Sequence, residues 1–123
     1  DGRRLATGEG ESRDANGESE YLVKVWDVKT GQLLGVLDGH GHDVTTIAFS
    51  RDGRTIATGS RDTTVRLWSA VSFQELATLE GHRGAISSVA FSPLDGRTLA
   101  SGSFDWQVKL WYAATDEEVA AKR

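Results

Sequence analysis

TGSRDTTVRLW (residues 58–68) is restated, with small changes, as SGSFDWQVKLW (residues 101–111). Both segments run hydroxyl, glycine, serine, then an aspartate, then Val, a basic residue, Leu and Trp. Working outward, Trp26, Trp68 and Trp111 lie 42 and 43 residues apart, and Gly39-His40 precedes Gly81-His82 by 42. FSRDGRTIATGS (49–60) matches FSPLDGRTLASGS (91–103) with one residue added, and DGRRLATG (1–8) is the stub of an earlier copy. A fixed period of this length is the signature of a repeat architecture, in which each unit buries its faces only against its neighbours.

Each copy reads as four short antiparallel strands. VTTIAFS and AISSVAFS are rich in apolar and β-branched residues. RTIATG and RTLASG follow Asp-Gly turns, TVRLW and QVKLW alternate with period two, and QELATLEGH supplies a fourth run. Turn signals stand at Asp52-Gly53, Asp95-Gly96 and Thr30-Gly31.

A repeat with GH early and Trp late resembles the WD40-repeat family, whose fold is the β-propeller. The resemblance covers nearly the whole chain and extends to the terminal repeats of bacterial-type multi-repeat WD proteins, whose upstream domains are often kinases or other signalling modules. It implies an all-β fold of four-stranded antiparallel blades, with strands a to d running outward from the axis. Strand a is expected at 44–50 and 85–92; strand b at 3–8, 54–59 and 97–102; strand c at 21–26, 63–68 and 107–112; strand d at 32–37, 74–80 and 117–121. The expected organisation is a partial blade at 1–38 (strands b, c and d), a blade at 39–80 and a C-terminal blade at 81–123. Two complete blades plus three strands of another make an incomplete ring, since propellers close with about 4–8 blades. Ring closure is therefore expected from missing blades of the same chain or from further copies of it.

Composition narrows the class. The 123 residues are 26% charged and 38% hydrophobic, ordinary for a soluble protein. No run approaches the roughly 20 apolar residues of a membrane-spanning helix, and no signal peptide is visible, so no membrane role is expected. The chain has no cysteine, which fits a reducing compartment, and a cytoplasmic location is expected. It has no methionine either, so Asp1 is not expected to be a natural start. The net charge of −4 resides in residues 9–20, EGESRDANGESE, with five acids and one Arg. No basic stripe suited to nucleic-acid phosphates is present.

Two sets of polar residues recur: His40, Thr58, Asp62 and Trp68, then His82, Ser101, Asp105 and Trp111. A hydroxyl, an imidazole and a carboxylate at fixed spacing evoke nucleophilic catalysis. The family resemblance implies instead a buried hydrogen-bond chain Asp–His–Ser/Thr–Trp, and the physics agrees. A buried indole N–H needs an acceptor, a hydroxyl relays, and a buried carboxylate needs donors. The first copy keeps Thr7 and Trp26 but has Glu20 in the place of the Asp, and its His would lie upstream of Asp1.

By the resemblance, the b–c and d–a loops open on one face, the top, where partners dock. The side chains presented there would be Asp43, Thr45 and Arg61 in the second blade, Ala85, Ser87 and Phe104 in the third, and Ser19 in the first. Trp106 stands outside the repeat register, next to Phe104 and in the same turn, and exposed aromatics are favoured interface anchors. Residues 9–20 lengthen the first b–c hairpin by nine residues. Their polar, acidic composition predicts a mobile loop with a tight turn at Asn16-Gly17, suited to a basic peptide. DANGE (14–18) has too few carboxylates for a calcium loop, and HGHD (40–43) is a weak metal motif. No metal or cofactor is expected.

The leading expectation is a non-catalytic scaffold that binds a protein or peptide through its top face. The alternative is a propeller piece that forms a closed ring from two or three chains. An enzyme is the third reading, and no unclaimed nucleophile–base pair supports it.

Overall fold

Strand boundaries follow the apolar alternation and its turn residues closely. In the computed structural model, which describes residues 2–95 and 97–112, eleven strands are found: β1 (Arg4–Gly8), β2 (Ser12–Arg13), β3 (Ser19–Asp27), β4 (Leu33–His40), β5 (Val44–Phe49), β6 (Thr55–Ser60), β7 (Val65–Ser69), β8 (Glu75–Leu79), β9 (Ile86–Phe91), β10 (Thr98–Ser103) and β11 (Val108–Tyr112). All pairings are antiparallel. The second sheet has the simple order β5-β6-β7-β8 and the third β11-β10-β9. The fourth strand expected at 117–121 lies outside the described residues.

The first sheet departs from expectation in one respect. The acidic insertion is not a loop: Ser12 pairs with Glu20 and Arg13 with Ser19, so β2 continues the edge begun by β1. The Glu9 N–H donates to Leu22 O, bridging the two ladders. The tip is closed by Asp14, whose Oδ1 accepts the N–H groups of Asn16 and Glu18, while Gly17 takes φ +78° and donates to Asp14 O. Salt bridges Lys24–Glu9 and Arg13–Glu11 flank the arm. Composition favoured disorder here, and strand pairing with the extended β3 overrides it.

The sheets stack face to face, because successive side chains point to opposite faces and apolar residues stand on both, as consecutive Ile56 and Ala57 bury in opposite clusters. Val23, Val25 and Leu37 of the first sheet pack with Ile56, Trp68 and Ala70 of the second. Ala57 and Val65 of the second pack with Ile86, Val89 and Leu99 of the third. The inner strands β5 and β9 meet directly: Val89 N–H donates to the Thr46 hydroxyl oxygen, and Gly59, beside them on β6, has no room for a side chain against Ile86. At the opposite end, Arg4 of β1 reaches the carbonyls of Gly53 and Ala70, tying the first sheet to the second.

Candidate functional site

The connections that carry polar chemistry cluster where β4 meets β5, β8 meets β9, and the β6–β7 and β10–β11 turns close. Strand β4 delivers His40 from the first sheet; β6 and β7 deliver Thr58 and Trp68 from the second. Trp68 Nε1–H donates to Thr58 Oγ1 at 2.9 Å, Thr58 Oγ1 lies 2.6 Å from His40 Nε2, and His40 Nδ1 lies 2.8 Å from Asp62 Oδ2. The third sheet repeats the series, with Trp111–Ser101 at 2.8 Å, Ser101–His82 at 2.8 Å and His82–Asp105 at 2.9 Å. One proton arrangement satisfies every group: the hydroxyl accepts from the indole and donates to Nε2, and Nδ1–H donates to the carboxylate.

Both carboxylates are further supplied with donors. Asp62 accepts from Gly41 N–H, Thr64 N–H and the Thr64 hydroxyl; Asp105 accepts from the N–H groups of Arg83 and Gln107. Burial opposes the charge on Asp62, and hydrogen bonds from His40, Thr64 and Gly41 outweigh it, so its carboxyl sits well below the ordinary carboxylate range. Asp105 is held low in the same way, with Arg83 N–H and His82 outweighing desolvation.

The chain of contacts has the connectivity of a nucleophile relay, yet Thr58 and Ser101 are 0% and 1% exposed. Each hydroxyl oxygen also already holds an indole N–H. No substrate atom reaches an oxygen so enclosed. The geometry serves to fasten a turn, a strand end and a neighbouring sheet together.

The first sheet carries half of the network. Trp26 Nε1–H donates to Thr7 Oγ1 at 2.9 Å. Glu20 is drawn into the arm, where Ser12 Oγ donates to it, and does not close a turn as Asp62 does.

Two residues that sequence reasoning passed over complete the seam. Ser60 Oγ donates to His42 O and accepts from Asp62 N–H; Ser103 Oγ donates to Gly84 O and accepts from Asp105 N–H. Their signal was present in the repeated TGS and SGS.

The rim residues separate into two groups. Arg61 N–H bonds to Asp43 O and Phe104 N–H to Ala85 O, so each b–c turn is clasped to its d–a loop through backbone, with the Arg61 side chain exposed. Thr45 spends its hydroxyl on the carbonyls of Gly59 and Ile86, across the sheet junction. Ser87 and Ser19 are exposed, and the Ser19 hydroxyl donates to Glu11. Phe104 and Trp106 are 72% and 98% exposed, so neither packs on a neighbouring loop. Trp106 also stands at φ +70°, a left-handed conformation its Cβ disfavours; Thr63 occupies the matching position of the second sheet at φ +75°. His42 stacks on Tyr21 and its Nδ1 accepts Asp43 N–H. Among the described residues, no three His, Cys, Asp or Glu side chains are grouped to hold a metal ion, and no helix is long and apolar enough to cross a membrane.

The WD domain, G-beta repeat family model matches residues 31–69 and 73–112, more than half of the chain. The chain belongs to the WD40-repeat family. Each matched WD40 segment begins beside the last strand of one sheet and ends on the third strand of the next, the junction at which the histidine is passed between sheets. Denticleless protein homolog of Gallus gallus is 43% identical over 47 residues, covering 38% of this chain and 6% of that protein. The guanine nucleotide-binding protein subunit beta of Saccharomyces cerevisiae is 50% identical over 36 residues, 29% of this chain and 8% of that one. Among solved structures, the RRP9 WD40 repeats superpose with a TM-score of 0.72 at 27% identity, covering 90% of this chain and 38% of that one. These WD40 repeats therefore span less than two fifths of each of the relatives named, and the ring is not closed.

Proposed function

We propose that this chain is a non-catalytic WD40 scaffold that binds a protein or peptide through the rim formed by its b–c turns and d–a loops, with Phe104 and Trp106 as anchors. The carrying observation is the exposed aromatic pair, Trp106 at 98% and Phe104 at 72%. An indole in water gives the fold nothing in return, and the matching turn of the second sheet is built with Thr63 instead. Aromatic side chains of this kind contribute most of the energy at interfaces. Arg61 and Asp43 extend the rim toward the acidic arm of residues 9–20, whose surplus of carboxylates favours a partner segment that is basic. The sealed hydroxyls of Thr58 and Ser101 speak against catalysis, and a cysteine-free chain suits a reducing, cytoplasmic setting.

The test is a displayed peptide library selected on the wild-type chain, followed by titration of the recovered peptides against a Phe104→Ala/Trp106→Ala variant. A loss of affinity of about 30-fold or more, the scale of a hot spot, is expected. Undiminished binding by the double variant refutes the assignment of the anchors.

A second reading, assembly of a ring from two or three chains, is favoured by one observation: the outer faces of the first and third sheets are apolar and open.

A further inference from the structure

The turns between β5 and β6 and between β9 and β10 lie on the face opposite the rim. Their sequence signal is the residue added in the third repeat: Pro93-Leu94 stands in FSPLDGR where FSRDGR has Arg51 alone. The longer turn presents Leu94 to solvent, 93% exposed, with its N–H donating to Ser92 Oγ. Arg51 of the second sheet crosses the junction and donates from Nη1 to Pro93 O at 2.7 Å. Arg97 lies over the Tyr112 ring, 5.0 Å from its centroid. Arg51, Leu94 and Arg97 line one groove between the two turns, together with Asp52 and Asp95.

Both carboxylates of the groove are committed to their own turns. Asp52 Oδ1 accepts from the Ser50 hydroxyl and from Arg54 N–H. Asp95 accepts the N–H groups of Arg97 and Thr98 and the Thr98 hydroxyl. Three arginines, Arg51, Arg54 and Arg97, stand on these turns against the two acids, and Arg51 and Arg54 are exposed. The rim has the opposite sign, with five acids and one arginine in residues 9–20 alone. An acidic segment is therefore repelled by the rim and drawn to this face. Leu94 adds a second requirement. A simple anion gains nothing from an exposed leucine, whereas a peptide with an apolar side chain beside a carboxylate uses both the leucine and the guanidinium groups.

We propose that the groove between the β5–β6 and β9–β10 turns binds a short acidic peptide segment of a partner protein, with Arg51 pairing to its carboxylate and Leu94 packing on a neighbouring apolar side chain. The groove lies at a junction for which this chain supplies both sheets, and it does not depend on the rim assigned above. A scaffold with these two faces holds a basic segment on one side and an acidic one on the other.

The experiment exposes the labelled 123-residue chain to an array of Gly-Ser peptides with a central Glu-Leu, Glu-Ser or Lys-Leu block, then titrates the best Glu-Leu peptide to millimolar concentration by fluorescence anisotropy. Glu-Leu peptides are expected to be retained above the other two sets. Arg51→Glu and Leu94→Ser are each expected to lower affinity by about tenfold or more. Phe104→Ala/Trp106→Ala is expected to bind as the wild type does. Absence of Glu-Leu binding overturns the proposal, and undiminished binding by Arg51→Glu or Leu94→Ser overturns the assigned groove. Equal retention of Glu-Ser peptides, or displacement by inorganic polyphosphate as effective as by free peptide, shows attraction of any anion and overturns peptide recognition. Loss of binding in the Phe104/Trp106 variant moves the site to the rim. Circular dichroism checks the fold of each variant, and Arg51→Gln replaces Arg51→Glu if that chain does not fold, with the same outcomes read from it.

Discussion

Thr58 serves two partners with one oxygen, accepting from Trp68 and donating to His40. Thr58→Val keeps the shape and orphans the indole N–H and the imidazole nitrogen. A loss of about 1–3 kcal/mol per orphan is expected in denaturant unfolding, with Thr58→Ser restoring most of it. Asp62 gives the network its pH dependence. Its carboxyl is held below the ordinary range in the folded chain, against about 3.9 in an unfolded one. The stabilisation is therefore complete above about pH 4 and is lost as pH falls through the lower folded-state value. Asp62→Asn is expected to be less stable at neutral pH and to show a smaller decline in acid, read from urea midpoints across pH 2–6. This network was legible in the sequence because four residue types recur at one spacing in two copies. The left-handed backbone of Trp106 was not, since no local rule places an indole there. The Ser60 and Ser103 clamps escaped because a hydroxyl beside glycine reads first as a turn or strand residue.

Strands were the most legible element. Their ends fall near the expected ones because Asp-Gly turns and period-two alternation mark both limits of each run. The acidic arm was misjudged for the opposite reason. Its order comes from pairing Ser12 with Glu20 along an extended β3, a contact that local composition does not encode. Between elements the tolerance is narrow at Gly59, where a side chain would collide with Ile86 Cγ2 of the third sheet and Thr46 Cγ2 of the same one. Gly59→Ala is expected to cost about 1–3 kcal/mol by overpacking. Gly10→Ala in the arm, where nothing lies within 4 Å, is the control and should leave the thermal midpoint nearly unchanged. Equal midpoints for the two variants would show that the sheets separate more easily than their packing indicates.

At the scale of the molecule, the repeat made the stacking of sheets legible, because copies with the same inward residues have only each other to pack against. Which surfaces stay open was less so, since that depends on register-equivalent positions such as Leu5 and Ile56 meeting different neighbours. The position of His40 has a consequence for how this stack comes apart. The residue belongs by backbone pairing to the first sheet, where it lies opposite Tyr21, and by side chain to the second, where it meets Thr58 and Asp62. Loss of order at the end of β4 therefore opens the pairing with Tyr21 in its own sheet and, with it, takes a hydrogen-bond partner from both Thr58 and Asp62 in the next.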